Sequence, residues 1–118
     1  MCKCFINLTY CIVWHSDIVG FKIIKVKLGS EDDRQIIRTI RELSELPIYA
    51  DANQGWTPKQ TVSVLQTLED SGVQLELVEQ PVRGDDIEGM KYVTERIHTP
   101  VMADESSFGP KEAIELIR

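Results

Sequence analysis

Three acidic residues, each closing a short apolar run, constrain this chain more than any other feature. They are Asp51 in PIYADANQGW, Glu79 in LELVEQPV and Asp104 in TPVMADES, separated by 28 and 25 residues. One strand with its crossover helix takes roughly 25–30 residues, so the acids recur once per strand–helix unit. In a parallel α/β sheet the carboxyl ends of successive strands open on one face, and acids placed there converge. Converging carboxylates suit a hard divalent cation bound through oxygen. The expected centre is a magnesium-type site held by Asp51, Glu79 and Asp104.

From Phe21 onward the same unit repeats. Residues 22–28 are a β-rich run ending at Gly29, and Ser30 is placed to cap a helix over 31–45. Ile36, Ile37, Ile40 and Leu43 form the apolar stripe expected of that helix. Residues 47–50 read as the next strand. Thr57 and Gln60 then make a capping box, with Pro58 at the first helical position. Val62, Leu65 and Leu68 follow at helical spacing, and Ser71-Gly72 stops the helix. A strand at 75–78, a helix over 85–97, a strand at 100–103 and a helix opened by Gly109-Pro110 complete four strand–helix units. Their connections are short enough for right-handed parallel crossovers. Two architectures accommodate them, an open doubly wound sheet and part of an eightfold βα barrel. A whole barrel takes about 250 residues, so 118 residues hold at most half of one. Residues 1–20 fit no repeat and carry no assignment, which leaves 21–118 as the repeating domain.

A net charge of −6 argues against nucleic-acid or anionic-membrane binding. Cys2-x-Cys4 is too tight for a common zinc site, and with Cys11 the count is odd, so reduced thiols are expected. The apolar run over residues 5–14 has Lys3 as a positive flank but no small-x-small cleavage site. It is also too short to span a bilayer, and a cytoplasmic location is expected. His15 and His98 have no partner at useful spacing and are expected to be surface or packing residues.

Lys25 and Lys27 end the first strand of the repeat in KIIKVKLG. Side chains two apart on a strand share a face, roughly 6–7 Å apart. Two ammonium groups that close disfavour each other's charge, so one pKa is expected to fall, and such a lysine serves as a general base near neutrality. KxK alone equally describes solvated strand lysines; the acids on the same face favour chemistry. By the same pleat Asn53 shares a face with Asp51 and is expected to support the ligand or its waters. Glu105 is expected to point away from Asp104 as a supporting group, hydrogen-bonded to a neighbour. Trp56 and Phe108 fall in loops on this face, where they either wall a pocket or pack.

Together these motifs resemble the barrel domain of the enolase superfamily, in its muconate-lactonizing branch, over residues 20–118. In that branch a KxK ends the second barrel strand, and metal-binding Asp, Glu and Asp end the third, fourth and fifth. The matching residues here are Lys25 and Lys27, then Asp51, Glu79 and Asp104. The resemblance implies a partial (β/α)8 TIM barrel, about four βα units from the second to the fifth strand. DANQGW, ELVEQPV followed by Asp85-Asp86 and Gly89, and PVMADES resemble the dipeptide epimerases of L-Ala-D/L-Glu type within the branch. The implied chemistry is proton abstraction α to a carboxylate, with Mg²⁺ or alternatively Mn²⁺ stabilising an enediolate. Lys27 would be the base and Lys25 would hold down its pKa. The implied partner is a dipeptide or other small carboxylate. The family's opposing lysine ends the sixth strand, beyond Arg118, so impaired activity is expected of this chain alone. Four strands of an open barrel leave two unpaired edges, from which a homo-oligomer is expected. Two other readings stay open: a cycloisomerase or o-succinylbenzoate synthase of the same branch, and a non-catalytic half-barrel that binds metal.

Overall fold

Residues 4–6, 20, 22–29 and 31–117 are described by the computed structural model of the chain. Ser30, Cys2, Cys11 and His15 lie outside the described residues. Five parallel strands are present among those described: β1 (Cys4–Ile6), β2 (Ile24–Lys27), β3 (Ile48–Asp51), β4 (Leu77–Glu79) and β5 (Val101–Met102). They alternate from β2 onward with α1 (Asp33–Leu43), α2 (Pro58–Asp70), α3 (Ile87–Thr94) and α4 (Pro110–Ile117).

Strand order separates the two architectures that the repeat leaves open. A doubly wound sheet reverses its order at a switch point, whereas here the order is β1-β2-β3-β4-β5 without reversal. Right-handed crossovers between consecutive neighbours carry the helices to one side of the sheet, as in the wall of a barrel. β1 lies in the N-terminal segment that carried no assignment and adds a fifth strand beside β2.

The strand pleat sorts side chains between the two faces. Ile24, Val26, Ile48, Ala50 and Val78 are at most 5% exposed and belong to one core with Ile37, Ile40, Leu65, Leu68 and Val93 of the helices. Fully burying an aliphatic side chain of this size stabilises by about 1.5–3 kcal/mol. The alternate positions, among them Lys25, Lys27, Asp51 and Glu79, take the other face. On α1, Ile37 and Ile40 are buried but Leu43 is 60% exposed, which corrects the expected four-residue stripe. At about 100° per residue Leu43 lies on the Ile36 side of the helix, and Ile36 is itself only partly buried.

Helix ends follow local chemistry where that chemistry is local. In α2 the Thr57 hydroxyl accepts the Gln60 N–H at 3.2 Å, and the Gln60 side chain accepts the Thr57 N–H at 2.9 Å, completing the expected capping box. α1 instead begins at Asp33, after an Asp32 cap that makes no side-chain hydrogen bond. α3 starts after Asp86, whose carboxylate accepts the Gly89 N–H at 2.8 Å. A Cβ at position 89 would run into that carboxylate, so the cap and the glycine require each other. No helix among the described residues is long and apolar enough to cross a membrane.

Candidate metal centre

Sheet register sets the level of each side chain at the carboxyl ends of the strands. Lys27 is paired with Asp51, Asp51 with Glu79, and Glu79 with Met102. Lys25 lies two residues earlier on β2, on the same face as Lys27. Its Nζ reaches forward to donate to Glu79 Oε2 at 2.5 Å and stands 3.2 Å from Asp51 Oδ2. The three side chains are 20%, 12% and 10% exposed in that order, so this is not a solvated surface pair. Burial pulls the Lys25 ammonium's pKa down, but the hydrogen bonds and charges of Glu79 and Asp51 outweigh it and leave the group above the ordinary lysine value. Lys25 therefore does not show the fall expected of one of the two lysines, because two carboxylates stand against its charge. Lys27 is exposed on the face beside them.

The loop after β3 holds Asp51 from behind. The Asn53 N–H donates to Asp51 Oδ1 at 3.1 Å. β3 ends at Asp51, and Asn53 and Gln54 have φ of +48° and +63°. The pleat therefore does not run on to Asn53, and its support for Asp51 comes through the backbone amide rather than a shared strand face. Each further residue of the DANQGW motif has a visible task. Gln54 Oε1 accepts the Gly84 N–H at 2.7 Å. A Cβ on Gly55 would stand 2.7 Å from Gly29 Cα and 2.8 Å from Ala52 O, so only glycine lets these backbones meet. Trp56 is 7% exposed, and its Nε1–H donates to Asp33 Oδ2 at 2.9 Å. That oxygen also accepts the Gly29 N–H at 2.8 Å. Trp56 packs in the core and also lines the cavity between the first turns of α1 and α2. Asp33 was not singled out from the sequence; its first-turn position is visible there, but its partner is 23 residues away.

Asp104 stands two residues past Met102, beyond the end of β5 and exposed. Its N–H donates at 2.9 Å to Oε1 of Gln80, a fully buried residue that sequence reasoning passed over. The only sequence signal for Gln80 is an amide set between an acid and a proline. Glu105 departs from expectation: its Oε2 is buried and has no hydrogen-bond partner. Glu105 lines a cavity with Gln54, Arg83, Gly84, Asp85 and Phe108, where Arg83 donates two bonds to Asp85 at 2.9 and 2.8 Å and the Gly84 N–H donates to Gln54. Phe108, on the rim of that cavity, is 81% exposed. His98 is exposed, in keeping with a surface role.

Among the described residues no three acidic, histidine or cysteine side chains are gathered closely enough to hold a metal ion. Two of the three expected ligands nevertheless share a cation already, the ammonium of Lys25. The set offers only carboxylate oxygens, the donors that a hard divalent cation takes. The donor chemistry therefore fits Mg²⁺, with Lys25 at the position where Asp51 and Glu79 meet positive charge. A separate cavity of about 570 Å³ lies between the first turns of α1 and α2, and none of these acids lines it.

Sequential parallel strands with acids at their carboxyl ends define the wall of a βα barrel. The chain belongs to the enolase C-terminal domain-like family, which it matches over residues 16–118. It is 44% identical over 104 residues to the L-Ala-D/L-Glu epimerase of Bacillus subtilis, covering 84% of this chain and 28% of that protein. It is 45% identical over 104 residues to the hydrophobic dipeptide epimerase of Enterococcus faecalis, covering 85% of this chain and 29% of the relative. A solved dipeptide epimerase from Enterococcus faecalis, complexed with Mg and L-Leu-L-Tyr, superposes with a TM-score of 0.80 at 44% identity. That match covers 86% of this chain and 29% of the other. The chain thus spans less than a third of the length of these relatives.

Proposed function

We propose that this chain forms the metal- and base-bearing wall of a Mg²⁺-dependent dipeptide epimerase of the L-Ala-D/L-Glu type. The observation that carries this reading is the sharing of one cation by Asp51 and Glu79, at the register level of Lys27. The names of the relatives, and the Mg and dipeptide in one of them, support the substrate class and the metal. Mn²⁺ is the alternative hard cation for the same oxygens.

In this reading Asp51, Glu79 and Asp104 hold the cation. When bound, it supplies positive charge that offsets the charge accumulating on the substrate carboxylate as the α-proton leaves. Lys27 takes that proton, since its side chain stands on the open face at the level of both acids. Lys25 neutralises Asp51 and Glu79 while no other cation is present. The backbone of Asn53 keeps one Asp51 oxygen engaged from the loop side.

The test is proton NMR of L-Ala-L-Glu and L-Ala-D-Glu in D₂O, with Mg²⁺ and with EDTA. The expected result is metal-dependent loss of the glutamate α-proton signal, abolished by Lys27→Ala. A wild-type chain that Mg²⁺ stabilises against heat, yet that exchanges neither epimer, overturns the epimerase reading for these residues.

A further inference from the structure

Gln80 follows Glu79 directly and has no part in the chemistry proposed above, yet it is the most completely bonded side chain near the acids. It is fully buried, and its φ of +38° is one that a non-glycine residue rarely adopts. Such a conformation persists where the surroundings over-determine it. Its Oε1 accepts the N–H of Asp104 at 2.9 Å and that of Ser106 at 3.0 Å. Its Nε2 donates to Ser106 Oγ at 2.8 Å and to Val82 O at 3.0 Å, and lies 3.9 Å from Met90 Sδ. A primary amide has two acceptor positions and two N–H donors, and these bonds use all of them. The Gln80 backbone also donates to Met102 O and accepts the Gln54 N–H, both at 2.8 Å.

The β5 ladder stops at Met102, so the sheet itself does not fix the direction of Asp104. We infer that Gln80 is the positioning residue of the third carboxylate. Its side chain ties the backbone on both sides of Glu105 to the strand end that bears Glu79, so that Glu79 and Asp104 are set as one unit. This rests on the metal reading above. A buried amide that only filled space would leave metal affinity unchanged when replaced by a side chain of similar volume. An amide that aims Asp104 would not.

The experiment compares the full chain with Gln80→Met, Gln80→Glu and Asp104→Asn in two measurements. One is hydrogen exchange of the Asp104 and Ser106 amides by NMR, with the Val78 amide, bonded to Pro100 O within the sheet, as control. The other is a titration with Mg²⁺ alone, followed by calorimetry. Gln80→Met is expected to speed exchange at Asp104 and Ser106 by about tenfold or more, the scale of one lost hydrogen bond. Val78 should stay as slow as in the wild type. The same variant should weaken Mg²⁺ binding by about tenfold, toward the level of Asp104→Asn. Gln80→Glu keeps the accepting oxygen but sets a second oxygen against Val82 O, so it should restore slow exchange at Asp104 and Ser106 only in part. If Gln80→Met does not fold, Gln80→Asn, an amide too short to reach the loop, serves in its place. A folded variant whose Mg²⁺ affinity equals the wild type's overturns the positioning role alone. A wild-type chain indifferent to Mg²⁺ overturns the metal reading and this role with it.

Discussion

Lys25 stands where Asp51 and Glu79 would otherwise repel each other, and the arrangement has a measurable consequence. Removing one partner of a largely buried ion pair costs about 3 kcal/mol, because the remaining charge keeps its desolvation penalty. Lys25→Met should therefore lower stability by roughly that amount in EDTA, read from urea denaturation. Mg²⁺ should restore more stability to this variant than to the wild type, because the cation then meets no competing ammonium. Equal Mg²⁺ responses in the two proteins would show that Lys25 and the metal do not share a place. Asp33 makes a second case at this scale. Asp33→Ala leaves the buried Trp56 Nε1–H and the Gly29 N–H without their acceptor, and should cost about 1–3 kcal/mol. Asp51, Glu79 and Lys25 were legible in the sequence as one group because they fall in short apolar runs about one strand–helix unit apart. Gln80 and Asp33 were not. The bonds of Gln80 to Asp104 and Ser106 cross 24 and 26 residues and that of Asp33 to Trp56 crosses 23, and no periodic signal announces such a contact.

At the scale of elements, the same division between local and distant causes decides which boundaries could be read. α2 begins where Thr57, Pro58 and Gln60 place it, because a capping box is complete within four residues. Thr57→Ala should cost about 1 kcal/mol in a denaturant midpoint and leave the Mg²⁺ response unchanged. α1 begins later than its sequence suggests, at a residue whose carboxylate is engaged by Gly29 and Trp56. The Gly55 turn joins these loops to the strand end of Asp51. Gly55→Ala would set a Cβ 2.7 Å from Gly29 Cα, and neither backbone has a flexible end to withdraw. It should cost about 1–3 kcal/mol. Because the displaced loop also carries the Asn53 amide, this variant should weaken Mg²⁺ binding as well. A Gly55→Ala protein as stable as the wild type would mean that the close approach of the two loops relaxes freely.

For the whole molecule, four strand–helix units could be counted from the sequence, but their lateral order could not. Pairing between strands leaves no mark within any one of them. Order matters here because a sheet without reversal gathers the helices on one side and leaves the other to Lys25, Lys27, Asp51 and Glu79. By register Tyr49, Leu77 and Met102 stand on that face beside the charged residues. The edge beyond it differs. β5 pairs with β4 alone among the described residues, Met102 on it is 39% exposed, and on α4 Ile114 and Ile117 are 55% and 85% exposed. Unpaired backbone beside exposed aliphatic side chains favours association with another chain. Sedimentation velocity should show species larger than the monomer, growing with protein concentration. Ile114→Lys with Ile117→Lys should shift the chain toward monomer without changing its circular dichroism. A wild-type chain that stays monomeric at all concentrations would mean that the β5 edge is protected in solution despite its exposed side chains.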